Sequence, residues 1–229
     1  MSTPAISAQS LYRFFHAGPE ETLALRGVTL IVNPGEIVAI AGPSGSGKST
    51  LLSCISGMDD PTGGAVNICG ILMSRQPEPV RAALRRDRIG ILKQSSELFS
   101  HLTVIQNVQL ARAITPSSRT DGTRQTSPSA LLELVGIAHR GQALPDQLSG
   151  GETARAGLAV AMANDPAVLL ADEPTGEVDR ASERVLLDLL RALANQGMAV
   201  VLASHSPVVL AAADRVIQLA DGIEVPNGR

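Results

Sequence analysis

At 229 residues, 44% hydrophobic and 18% charged, the chain is too apolar for a disordered protein and long enough for one substantial core. A formal charge of −3 leaves no basic footprint, so nucleic acid is not an expected partner. Cys54 and Cys69 form no disulfide framework or metal-ligand spacing, residues 1–7 lack a secretory signal's segments, and no uncharged apolar run reaches the ~18 residues of a membrane span, so a cytosolic chain is expected.

In chain order, residues 1–10 are polar or small and expected to fray. Leu11, Tyr12, Arg13, Phe14 and Phe15 form a strand-like cluster that ends in the turn-prone His16-Ala17-Gly18-Pro19. Phe15, nearest that turn, is the candidate ring for an adenine to stack on; the competing role is a small satellite core. Residues 25–32 read as a strand, 33–35 as a turn and 37–41 as a second strand.

The next stretch, Gly42-Pro43-Ser44-Gly45-Ser46-Gly47-Lys48-Ser49-Thr50, fits the P-loop pattern G-x-x-x-x-G-K-[ST]. An apolar strand precedes it, and a helix to about Ser56, stopped by Gly57, follows it; that is the context the motif requires. A helix N-terminus offers unpaired N–H groups and a partial positive charge to a polyphosphate. The backbone of Ser44, Gly45, Ser46, Gly47 and Thr50 is therefore expected to wrap phosphate oxygens, with Lys48 supplying full charge and Ser49 a hydroxyl for Mg²⁺.

A turn at 61–64, a strand at 65–69 and a basic-faced helix at 79–86 lead to a buried strand at 88–92 that delivers Lys93 and Gln94 at its end. Helical spacing returns at 103–113 and 130–135, separated by a Ser-, Thr-, Pro- and Gly-rich surface loop at 115–129. Helices inserted in an α/β framework suggest a subdomain rather than a separate domain. Residues 148–152 open another helix, capped by Ser149 and running to about Asn164. Pro166 breaks it, and the apolar strand 167–171 ends in Asp172 and Glu173, where open α/β sheets bind ligands. An amphipathic helix at 180–195, a strand at 198–203 ending in Ser204-His205, a helix near 208–213, a strand at 215–219 and a polar tail complete the chain.

A P-loop alone fits many nucleotide-binding proteins. The ordered set that follows it, Gln94, then Leu148-Ser149-Gly150-Gly151, then Asp172-Glu173, Asp179 and His205, resembles the ATP-binding-cassette (ABC) ATPases over nearly the whole chain. Glu152 closing the signature, with Leu131 to Ile137 and Pro174-Thr175-Gly176, is similar to the branch of lipoprotein-release, macrolide-export and cell-division ATPases. The resemblance implies an α/β P-loop core with an N-terminal antiparallel β subdomain and an inserted α-helical subdomain: one domain over 1–229, its core in 1–94 and 153–229 and its helical part in 95–152.

The resemblance also implies roles. Lys48 and the P-loop hold ATP; Ser49, Gln94 and Asp172 organise Mg²⁺, Asp172 through its shell. Glu173 is the general base, Gln94 senses the γ-phosphate, and His205 holds that phosphate and the lytic water in line. Ser149, Gly150 and Gly151 bind the γ-phosphate held by an opposite protomer, expected to be a second copy of this chain, and Asp179 lies at the interface between the two. The expected function is the ATP-hydrolysing subunit of a transporter or related membrane machine. It would sit on the cytoplasmic face of the inner or plasma membrane, bound to a separate permease near Phe99 and Leu102. A soluble ATPase acting on DNA or ribosomes would predict a coiled-coil insertion or a second cassette and a basic surface, and the sequence has none of these. A non-hydrolysing scaffold would need a lesion at Lys48, Glu173 or His205. Three positions depart from the family pattern: Lys93, where an aromatic or apolar residue is usual; Val160, where a second arginine is common; and Ser206, which replaces the acidic residue that usually follows the histidine.

Overall fold

The computed structural model describes residues 3–17, 20–94, 98–113, 126–176 and 178–225. Gly18 and Pro19 of the expected turn, most of the expected 115–129 loop and the last four residues lie outside them.

Two sheets form the framework. The first is antiparallel, in the order β2-β1-β4-β5, from β1 (Ile6–Ala17), β2 (Glu20–Val32), β4 (Gly63–Ile68) and β5 (Ile71–Leu72). The second contains β3 (Ile37–Ala41), β6 (Ile89–Lys93), β7 (Val168–Asp172), β8 (Ala199–Ala203), β9 (Arg215–Ala220) and β10 (Ile223–Val225), in the order β10-β9-β3-β8-β7-β6. Its strands run parallel except β10, which pairs antiparallel with β9.

Period-two alternation explains how one sheet serves two cores. On one face Val38, Ile40, Val168, Leu170, Val201 and Ala203 pack with helix α1 (Lys48–Ser56) and the inner side of the antiparallel sheet. On the other, Ile37, Leu92, Leu169, Ala171, Val200 and Leu202 pack with α3 (Val104–Ala113), α4 (Pro128–Leu134), α5 (Gly150–Ala161) and α6 (Arg180–Asn195). Helix α2 (Glu78–Arg88) leads into β6, and α7 (Pro207–Ala212) joins β8 to β9. Between β6 and β7 the described residues form helices and two single 3-10 turns and no strand, and those helices share one buried cluster with the main sheet.

Several boundaries match the sequence reading residue for residue, among them β3, the end of α1 at Ser56 with its left-handed Gly57 stop, and α6. Others differ. Residues 6–10 are not frayed: they belong to β1, Ile6, Ser7 and Ala8 pair with both β2 and β4, and Ile6 and Ala8 are fully buried. Their inward positions are Ile6 and Ala8, alternating with Ser7 and Gln9; two apolar residues are a short hydrophobic signal that the neighbouring strands reinforce. The expected polar tail contains β10, returned onto β9 by a turn at Asp221-Gly222, a hairpin pair with both residues at positive φ. Pro128 and Ser129 are helical rather than loop, because the Ser127 hydroxyl accepts from Ala130 N–H and proline suits the first turn. Helix α5 stops at Ala161, short of Asn164.

Candidate functional site

The strand order reverses its direction of travel at β3, which lies between β9 and β8, so the P-loop that follows β3 opens at the switch point of the sheet. Gly47 precedes α1 at φ +104°, and a side chain there would lie 2.6 Å from the Ala24 carbonyl oxygen; only glycine lets β2 close over the loop. Helix α1 has no side-chain cap, so its first-turn N–H groups face the loop's concavity without a built-in acceptor. Lys48 Nζ donates to the carbonyls of Gly42 (2.7 Å) and Pro43 (3.0 Å), which holds the ammonium across the loop's mouth. Ser44, Gly45, Gly47, Lys48, Ser49 and Thr50 line one cleft of about 330 Å³ with Ala24, Asp172 and Glu173. Ser46 is buried beneath it, its hydroxyl without a partner.

A second cleft, also about 330 Å³, opens on the other side of Ser49, between α1 and the ends of β6 and β7. Ser49, Asp172 and Glu173 border both clefts, and Lys93 and Gln94 border this one. Lys93 stands beside Asp172 in the parallel register. Gln94 reaches the turn after Glu173: a methyl on Gly176 would come within 3.0 Å of its Nε2.

The two carboxylates at the end of β7 have different settings. Glu173 adopts a left-handed conformation, φ 46°, which is strained for a residue with a side chain, and its N–H is held by the Ala203 carbonyl at 2.9 Å. Its Oε1 lies 2.8 Å from Nδ1 of His205, and its Oε2 accepts from the Ser204 hydroxyl at 3.2 Å. The His205 side chain is 78% exposed and the Glu173 side chain 20%, so the imidazole covers a half-hidden carboxylate. Glu173 and His205, both expected from the sequence, meet directly; the Ser204 contact was not foreseen, although a hydroxyl at the end of the adjacent buried strand was the available signal.

The signature residues lie elsewhere. Ser149 caps α5, accepting from Glu152 N–H, and Glu152 reaches back to Ser149 N–H in a reciprocal capping box. The Arg140 guanidinium at 2.8 Å, with help from the Ser149 N–H and hydroxyl, pulls the Glu152 carboxyl down to about 2. Gly150 is exposed on this helix start, while Gly151 is pressed against Ser182 of α6. Asp179 is the N-cap of α6, accepting from Ala181 N–H, Ser182 N–H and the Ser182 hydroxyl, bonds that hold its carboxyl below the usual range. Neither Asp179 nor residues 149–151 line either cleft. Phe15 lines neither; it is 40% exposed, pairs with Thr22 two residues from Ala24, and carries the Arg13 guanidinium 4.7 Å from its ring centroid. Phe99, on the helical side, is 54% exposed, so it is no part of the local core.

Comparison with known proteins gives a consistent result. The family model for ABC transporters matches residues 25–176. The chain is 39% identical over 224 residues to the lipoprotein-releasing system ATP-binding protein LolD of Novosphingobium aromaticivorans, covering 97% of this chain and 99% of that one. It is 38% identical over 222 residues to the macrolide export ATP-binding/permease protein MacB of Hahella chejuensis, covering 97% of this chain but only 34% of that relative, so it spans about a third of the exporter's length. Among solved structures, the dimeric bacterial ABC transporter cassette MJ0796 superposes with a TM-score of 0.85 at 35% identity and 95% coverage of both chains. A post-hydrolysis state of that cassette, bound to ADP and Pi, superposes with a TM-score of 0.85 at 33% identity, again covering 95% of each chain.

Proposed function

Since this chain belongs to the ABC transporter family, we propose that it binds ATP at the end of β3 and hydrolyses it as one of two facing cassettes, driving a separate membrane permease. One observation carries the catalytic reading: the P-loop, Asp172 and a Glu173 paired with His205 converge on the same cleft at the switch point of the sheet.

The bound triphosphate takes the first-turn N–H groups of α1, and Lys48 exchanges its two carbonyl partners for β- and γ-phosphate oxygens. The residues present also fit Mg²⁺: Ser49 and Asp172, with Gln94 beside them, offer a hydroxyl, a carboxylate and an amide oxygen around one cleft, the hard donors this ion takes. When bound, the ion neutralises charge between the β- and γ-phosphates. Glu173 accepts the proton of the attacking water, and His205, held by the same carboxylate, steadies the γ-phosphate in line. Phe15, exposed on β1 and paired with Thr22 two residues from the cleft-lining Ala24, serves as the adenine platform in this reading.

Ser149, Gly150 and Gly151 cannot complete the cleft of their own chain from where they stand, so they serve the nucleotide of a second copy of this chain, presenting the helix start of α5 to its γ-phosphate. Asp179 then lies near the junction of the two protomers. Residues 95–152 act as a helical subdomain that passes this closure to the permease, with the exposed Phe99 at the contact. The chain is held in this way at the cytoplasmic face of the membrane; no described helix is long and apolar enough to cross it. LolD is named for a lipoprotein-releasing system and MacB for macrolide export with its permease, which supports this assignment to a membrane machine.

The test compares ATP turnover and ATP binding in the native chain and in Glu173→Gln. Loss of the base lowers turnover by roughly 10²–10⁴-fold while ATP affinity is kept. A variant that turns over at the native rate removes Glu173 from this role.

A further inference from the structure

Glu183 is a buried carboxylate that the reading above does not use. It sits in the first turn of α6 at 8% exposure, and among the described residues its side-chain hydrogen bond is from the Ser206 hydroxyl, Oγ to Oε1 at 2.7 Å. A carboxylate taken out of water onto one neutral hydroxyl is costly, so the position calls for a reason beyond packing. Following the bond outward supplies one. Ser206 occupies the N-cap position of α7 without a side-chain capping bond, and its N–H donates to Ser204 Oγ at 3.1 Å; Ser204, fully buried, donates its hydroxyl to Glu173 Oε2 at 3.2 Å. A serine hydroxyl has one proton and two lone pairs. With Ser206 N–H occupying a lone pair, the Ser204 proton is directed at Glu173, and Glu183 fixes the residue that makes this so.

We propose that Glu183 and Ser206 are positioning residues for Glu173, acting through Ser204 to hold the base's second oxygen while His205 holds the first. The proposal rests on Glu173 being the base. It explains how a side chain in a strained left-handed conformation stays aimed into the cleft: one oxygen is tied to an exposed imidazole, and the other to a buried network anchored on a different helix. Neither Glu183 nor Ser206 lines the nucleotide cleft, so their effect falls on turnover and not on ATP binding.

The experiment measures kcat, KM and ATP affinity for the full chain carrying Ser206→Ala, Glu183→Leu, Glu183→Gln, the Ser206→Ala/Glu183→Leu double change and Glu173→Gln. Ser206→Ala and Glu183→Leu each lower kcat about tenfold with KM and ATP affinity unchanged, the scale of a lost hydrogen bond to a charged group. Glu183→Gln, which keeps an acceptor oxygen for Ser206, recovers to within roughly twofold of the native chain, and the double variant falls no further than the worse single. Native kcat in Ser206→Ala, a Glu183→Gln as slow as Glu183→Leu, or losses that multiply in the double variant would each overturn the proposal. Because Ser206 is only half-buried, its variant keeps the test open if Glu183→Leu does not fold. If Glu173→Gln loses turnover while Ser206→Ala keeps it, this inference alone fails; if Glu173→Gln itself turns over normally, the base assignment fails first.

Discussion

Gly151 offers a test in which geometry sets the size of the effect. A methyl at this position would lie 2.2 Å from Ser182 Oγ and 2.6 Å from Ser182 Cβ, where ordinary contact is 3.4 Å or more. Ser182 has nowhere to go: its hydroxyl donates to Asp179 Oδ2 at 2.7 Å and its N–H to Oδ1 at 3.0 Å, as part of the cap that starts α6. Gly151→Ala therefore pushes α5 away from α6 by on the order of 1 Å, or breaks the cap. Over-packing of this kind costs about 1–3 kcal/mol, and alanine's helical preference over glycine returns up to ~1 kcal/mol. The net loss of about 1–2 kcal/mol lowers the melting temperature by roughly 2–8 °C for a domain of this size. Thermal and urea unfolding of Gly151→Ala, Ser182→Gly and the double variant measure it, because Ser182→Gly removes both clashing atoms. The alanine penalty should largely vanish in the Ser182→Gly background. A Gly151→Ala protein that melts with the native chain, or an equal penalty in both backgrounds, would refute the reasoning.

Gly47→Ala puts a side chain at φ +104° and 2.6 Å from the Ala24 carbonyl, so ATP affinity measured by titration should fall more than ~10-fold; native affinity would show that the loop tolerates reopening. Leu190→Ala empties a fully buried site under α6, and urea unfolding should lose about 2–5 kcal/mol. Glu152 gives a pH signature. Its carboxyl is lowered from 4.5 to about 2, chiefly by Arg140, so its contribution to stability is full above about pH 4.5 and is lost as pH falls toward 2. The melting-temperature gap between the native chain and Glu152→Gln should hold from neutral pH down to about 5 and close below it; a gap that widens in acid would contradict the pairing.

The half of the candidate site around the two clefts was legible because its signals are local. The run from Gly42 to Thr50 carries both its turn and its helix start, and Asp172-Glu173 and Ser204-His205 each end an apolar strand whose burial is written in its composition. The amphipathic period of α6 gave that helix its bounds, whereas the Asp179 cap that starts it was not foreseen. What could not be read lies between elements. Ser206 and Glu183 are far apart in sequence and on different helices, and nothing in either neighbourhood predicts that they touch. The contact of Gly151 with Ser182 and that of Gly47 with Ala24 are of the same kind: the glycine was visible, the atom that excludes a side chain was not. Ile6 and Ala8 were misjudged because two apolar positions among polar neighbours make too short a pattern, and the strands that bury them, β2 and β4, lie far away in sequence.

The claim that one chain's signature completes another chain's nucleotide site is tested most directly by sedimentation of the Glu173→Gln protein. With ATP and Mg²⁺ the sedimenting mass should double, with ADP it should remain that of one chain, and Ser149→Arg in the same protein should abolish the ATP-driven association. A mass that stays that of one chain with ATP, or a dimer indifferent to both nucleotide and Ser149, would contradict it.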